Sequence, residues 1–324
     1  MKKILLIIAL NIFIAILIFA LADFVLYWRN AKILYTSGAE RLPYNYTTQT
    51  ILNEFEKKNG QGRFLPYDKN FKSDKAPILL LGCSYTYGFG LMDDETLQGR
   101  LQKLTNRWVY NFGVVGRELF SSYYWMKKEY KKGQINPTPE YIIYTYMFHH
   151  MVRLAEPYFY DYYRDMDYLP NQKRNFLYRI YTYRYLKDIS LQKEFWYDWE
   201  FKRHKKIFFK TLEETKKFCD ENFPNSKFVI LIYNDYDYNN IAETLKQSVG
   251  NHEYRLKKLF EIMDDKEFIQ KIKDMGIEVI TTQELIGRKM NKPEDHLAGD
   301  ENGPHPSAYI WSEITPKLVE RLKL

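Results

Sequence analysis

From Pro77 onward, five short apolar runs recur, separated by stretches long enough for helices: ILLLG (Ile78 to Gly82), WVYNFG (Trp108 to Gly113), YIIYTYMF (Tyr141 to Phe148), KFVILIY (Lys227 to Tyr233) and IEVITT (Ile277 to Thr282). Runs of Val, Ile, Leu and Tyr without polar alternation suit strands covered on both faces. Strands separated by helices join through right-handed crossovers and so lie parallel. The pattern predicts an α/β domain with a five-stranded parallel sheet between helical layers. At 324 residues, 45% of them hydrophobic, the chain is long enough to bury such a core.

The amino-terminal segment constrains location instead. MKK is followed by an apolar run from Ile4 to Trp28, interrupted only by Asn11 and Asp23. As a helix, Ile4 to Tyr27 would reach roughly 36 Å against a hydrocarbon core of about 30 Å. The expectation is an uncleaved transmembrane anchor over residues 1–29, holding the domain that follows outside the cytoplasm, with the membrane as a partner. Lys2 and Lys3 favour an inside start, although Arg29 and Lys32 on the far side weaken that asymmetry. The alternative is a signal peptide cleaved after Ala22, since Ala20-Leu21-Ala22 is a small-x-small site. Both readings export the rest of the chain.

Residues 30–76 read as a polar connector broken by glycine and proline, and 77–324 as the main domain. Within that domain, 149–226 is longer than one crossover needs and reads as a helical cap insertion. Its Tyr-rich stretches, Glu156 to Leu169 and Tyr178 to Leu186, either pack the cap or form a ligand wall. Net charge is +7, and the one local basic run, FKRHKKIFFK at Phe201 to Lys210, reads as a solvated helix face. No nucleic-acid motif accompanies it, so nucleic acid is not an expected partner. Cys83 and Cys219 form no disulfide framework or metal motif, and no Walker or dinucleotide fingerprint is present. No cofactor or metal is expected.

In an open parallel sheet, ligands sit beyond the carboxyl ends of the strands. Ser84 falls at such an end, in a Gly-x-Ser turn where backbone N–H groups can stabilise developing negative charge. A cysteine nucleophile at Cys83 would need a thiolate-stabilising setting that the surrounding residues do not supply.

The stretch LLLGCSYTYGFG resembles the first block of the SGNH or GDSL hydrolases, with Cys83 in the place of the family's Asp. In YNFGVVG, Asn111 and Gly116 stand at the spacing of the second block, whose glycine supplies an oxyanion amide; Gly113 is an alternative. The third block normally carries an Asn side chain, and YTYMFHHMVR offers His149 and His150 instead, with His150 and Arg153 forming an H-x-x-R ending. DENGPHPSAYIW supplies the final His-Pro-Ser as His305, Pro306 and Ser307. The family's acid lies three residues before its histidine, where this chain has Asn302; Glu301 and Asp300 stand four and five before.

The resemblance runs from Pro77 to Leu324. It implies a flavodoxin-like sheet, Ser84 as nucleophile, His305 as general base and an oxyanion site from the Ser84 and Gly116 amides with His150; the orienting group departs from the family spacing and is expected to be Asp300, brought back by a wider Gly303-Pro304 turn, with Asn302 as a neutral acceptor the alternative. The function it implies is an exported, membrane-anchored serine esterase or deacylase, with acyl groups on a small molecule or envelope carbohydrate as substrate. An O-acyltransferase using the same Ser/His site, and a catalytically inactive envelope scaffold, are the alternatives.

Overall fold

The computed structural model describes residues 11–22, 25, 71–114, 118–147, 150–151, 194–233, 257–258, 261–290, 292–297 and 305–324. The chain divides into two compact units, one of Met1–Glu54 with Pro157–Glu200 and the other of Phe55–Glu156 with Phe201–Leu324.

In the first unit, residues 11–22 are helical, and apolar side chains such as Ile12, Phe13, Ile18 and Leu21 are exposed along them. Twelve helical residues rise roughly 18 Å. Among the described residues, no helix is long and apolar enough to cross a membrane. Apart from Val25, the rest of the apolar run lies outside the described residues, as do the Tyr-rich stretches of the expected cap.

The second unit is built on strands β1 (Ile78–Gly82), β2 (Val109–Gly113), β3 (Tyr141–Tyr146), β4 (Lys227–Ile232) and β5 (Glu278–Thr281). They form one sheet in the order β2-β1-β3-β4-β5, and every pairing is parallel. This is the doubly wound, flavodoxin-like order. β1, β2 and β3 are buried along their whole length. Covering layers on both faces account for the lack of polar alternation in these runs.

The chain leaves β1 towards β2 and then returns across β1 to β3. Right-handed crossovers therefore place the intervening helices on opposite faces. One layer holds α2 (Leu97–Thr105) and α7 (Ala308–Leu322), joined where the Arg100 guanidinium donates to the Ala308 carbonyl at 3.0 Å. The other holds α3 (Leu119–Lys131), the part of α4 (Glu194–Asn222) from Phe201 onward, and α5 (Lys266–Asp274). Aromatic edges knit this second layer: Tyr123 of α3 meets Phe218 of α4 at 5.6 Å, and Phe208 of α4 meets both Phe268 of α5 and Tyr146 of β3. Aromatic residues make up 17% of the chain, and part of that content is thus structural.

The stretch 149–226, read as a cap, contributes α4 to this layer between β3 and β4 in the chain. Short helices α1 (Ser84–Tyr87) and α6 (Thr282–Ile286) follow β1 and β5 directly. Cys83 and Cys219 are both free and buried.

Candidate active site

The reversal of strand order falls between β1 and β3, and in open parallel sheets the carboxyl ends of the strands beside such a reversal are where ligands bind. β1 delivers Gly82, Cys83 and Ser84 to that point. Gly82 has φ of +151°, and a Cβ on it would lie 2.0 Å from Thr86 Oγ1 and 3.1 Å from the Thr145 carbonyl. Only a residue without a side chain lets the strand turn this closely into α1. The Gly82 peptide is held on both sides by Ser122, whose hydroxyl accepts from Gly82 N–H at 3.0 Å and donates to its carbonyl at 2.7 Å.

The turn is held from β2 as well. Asn111 Nδ2 donates to the Thr86 carbonyl at 2.9 Å, and its Oδ1 accepts from the Gly113 amide at 2.9 Å. Gly113 lies flat against the turn, since a Cβ there would meet Tyr87 N at 2.4 Å and the Cys83 carbonyl at 2.9 Å. Its amide is directed at Asn111, so Gly113 is not an oxyanion donor in this arrangement.

The second half of the site comes from the other end of the chain. His296 and Pro306 form an antiparallel bridge, flanked by Leu297 N–H donating to the His305 carbonyl and Ser307 N–H donating to the Asp295 carbonyl, each at 2.9 Å. Asp295 anchors this small ribbon. Its fully buried carboxylate accepts from Arg288 Nη1 at 2.7 Å, Arg288 Nη2 at 2.9 Å and the Lys292 amide at 3.0 Å, while Arg288 Nη2 also reaches Glu313 at 2.8 Å. Burial alone would push the Asp295 carboxyl up. The hydrogen bonds from Arg288 and Lys292, with the Arg288 charge, outweigh it and hold the group below the usual carboxylate range.

The two halves meet. His305 Nε2 lies 2.8 Å from Ser84 Oγ, with both side chains buried. With the ring proton on Nδ1, Nε2 accepts from the serine hydroxyl, which is the geometry of a nucleophile beside its base. Tyr85 meets the imidazole edge-on at 5.4 Å, and Phe89 lies tilted over it at 4.9 Å, so apolar rings flank the pair. Cys83 Sγ contacts Met147 Sδ at 3.4 Å.

The fold is similar to that of G-D-S-L lipolytic proteins. A member of that family from Veillonella parvula DSM 2008 matches at 10% identity over 77% of this chain and 99% of its own, with a TM-score of 0.44. An extracellular lipase from Streptomyces rimosus matches at 14% identity over 76% and 99%, with a TM-score of 0.43. A psychrotrophic esterase from Pseudoalteromonas sp. matches at 11% identity over 77% and 97%, with a TM-score of 0.41. Neither a family model nor a curated protein matches the sequence. At such identities and scores the likeness carries no chemistry, which rests on the side chains themselves.

Of the residues singled out in the sequence, Ser84 and His305 are brought into hydrogen-bond contact. His150 sits just past β3, fully buried, with Nδ1 2.6 Å from the Tyr144 hydroxyl and its ring stacked on Tyr144. Gly116, Asp300, Glu301 and Asn302 lie outside the described residues. Sequence reasoning did not find Ser122, nor the Arg288–Asp295–Glu313 cluster. Neither has a local signal, because each works on a partner brought close only by folding. Asn111 carried a partial signal in its place at the end of a strand.

Proposed function

We propose that the chain is a serine ester hydrolase of the SGNH type. The observation that carries this reading is the 2.8 Å contact between Ser84 Oγ and His305 Nε2, made at the switch point of the sheet by residues 221 apart in sequence. Ser84 Oγ attacks the ester carbonyl carbon as His305 Nε2 takes its proton. The Ser84 amide, first in α1 and without an intrahelical acceptor, holds the oxyanion with the Gly116 amide and His150. Collapse expels the alcohol, which takes the proton from His305. Water then attacks the acyl-serine with His305 again as base, releasing the carboxylic acid and restoring Ser84. Asp300 orients the imidazole and stabilises its charged form.

The apolar run from Ile4 to Trp28 supports an anchored, exported enzyme, and that setting favours acyl groups on an envelope carbohydrate as substrate. A fluorophosphonate probe tests the chemistry directly. Full-length protein in nonionic detergent should be labelled at Ser84, as located by peptide mass spectrometry. Ser84→Ala should lose labelling and turnover of p-nitrophenyl acetate, while Cys83→Ala keeps most of both. Labelling at another residue, or equal loss from the two substitutions with the fold intact, would refute the assignment.

A further inference from the structure

Away from Ser84, α4 and α5 bound a groove of about 460 Å³. Lys202, Lys205, Lys206 and Lys210 line it from α4, and Lys271 faces them from α5. Lys202, Lys206 and Lys210 recur every four residues on one helical face, so their stems rise in steps of roughly 6 Å. Lys271 Nζ is held 4.1 Å from the centroid of the Phe209 ring, and Lys205 Nζ stands 5.7 Å from that of Phe201. None of these five lysines makes an ion pair among the described residues. Two glutamates, Glu213 and Glu267, share the groove and leave it with a net charge of +3. Like charges at i and i+4 repel along a helix, so an anionic occupant would relieve a cost built into α4.

We propose that this groove binds a linear acidic glycan through successive carboxylates. A row of ammonium groups at regular rise matches a polymer with regularly spaced anions better than a single small anion. The site is a concave channel between two helices with carboxylates among its lining residues, which a flat anionic bilayer would press against and a narrow chain can avoid. Phe209 and Phe268 are buried beneath the lysines and offer no open ring faces for nucleobases to stack on. That the polymer is a glycan rests on the proposed deacylase reading; that it is a polyanion rests on the groove alone.

The test is calorimetric titration of the full chain, in nonionic micelles, with a size series of oligogalacturonates and with neutral dextran as control. Affinity should rise with oligomer length, weaken with salt and fall about a hundredfold in the Lys202→Glu/Lys206→Glu/Lys271→Glu variant. Should that variant lose its folded near-UV signal, Lys206→Gln alone should weaken binding roughly fivefold. Unchanged affinity in a folded variant, or equal binding of dextran, would overturn the proposal. So would displacement of bound glycan by dilute duplex DNA or by phosphatidylglycerol doped into the micelles. Fluorophosphonate labelling is read separately: a chain that labels at Ser84 but binds no glycan keeps the hydrolase reading and loses this one, and the reverse result does the opposite.

Discussion

Gly113 is a glycine because backbone already occupies the space its side chain would need. The turn carrying Ser84 lies on it, with Tyr87 N and the Cys83 carbonyl both closer than a Cβ tolerates. Neither obstacle is the end of a flexible side chain, so Gly113→Ala must move main chain. The expected cost is roughly 2 kcal/mol of stability by overpacking. The effect on catalysis should be larger, because a displacement approaching 1 Å at a nucleophile costs on the order of 10²-fold in rate. Denaturant melts paired with kcat for p-nitrophenyl acetate would check this, and an alanine variant with parental kcat would show that the turn does not need the contact. Cys83 belongs at this scale too. Its sulfur packs against Met147 while its neighbour meets the histidine, so adjacent residues at the end of one strand make contacts of different kinds.

At the scale of elements, the ribbon of Asp295–Leu297 against His305–Ser307 does for the histidine what the β1–α1 turn does for the serine. Its anchor is ionic. Because the Asp295 carboxyl is depressed in the folded state, its contribution is fully present above the unfolded carboxylate value of about 4 and is lost as pH falls through the lower folded value. Stability from this cluster should therefore hold at neutral pH and decline only in strong acid. Asp295→Asn removes the charge but keeps the shape, leaving Glu313 as the ionic partner of Arg288 among the described residues. It should cost roughly 3 kcal/mol at neutral pH and flatten the acid limb of the stability profile. Thermal unfolding followed across acid pH would check both; an unchanged acid limb would mean that other carboxylates control it. The variant should also lower kcat, since Ser307 and His305 hang on the same ribbon.

For the whole molecule, the central question is where the sheet domain works. Residues 11–22 are helical with apolar side chains outward, as a lipid-facing segment would be, and the flanking apolar sequence extends the run from Ile4 to Trp28. The expected outcome is a mature protein that keeps Met1 to Trp28 and presents its sheet domain outside the cytoplasm. Amino-terminal sequencing of purified protein, with reporter fusions after Leu324, would check this. A chain beginning at Asp23 would instead mean cleavage after Ala22.

The five strands, their parallel arrangement and the carboxyl-end position of Ser84 were legible in the sequence, because uninterrupted apolar runs and a Gly-x-Ser turn are local patterns set by burial and backbone geometry. His305 was legible through its His-Pro-Ser setting and the order of the blocks before it. The flavodoxin-like strand order and the pairing of Ser84 with His305 were implied by the family resemblance, whereas the grip of Ser122 and Asn111 on the turn and the Asp295 anchor were decided only by tertiary structure. Ser122 and Asn111 reach the turn across 40 and 25 residues and Glu313 joins Arg288 across 25, and local sequence carries no record of which distant group will complete a hydrogen bond. The lysines of α4 make the same point: the run from Phe201 to Lys210 read as a solvated face, and packing against α5 turned part of that face into the wall of a groove.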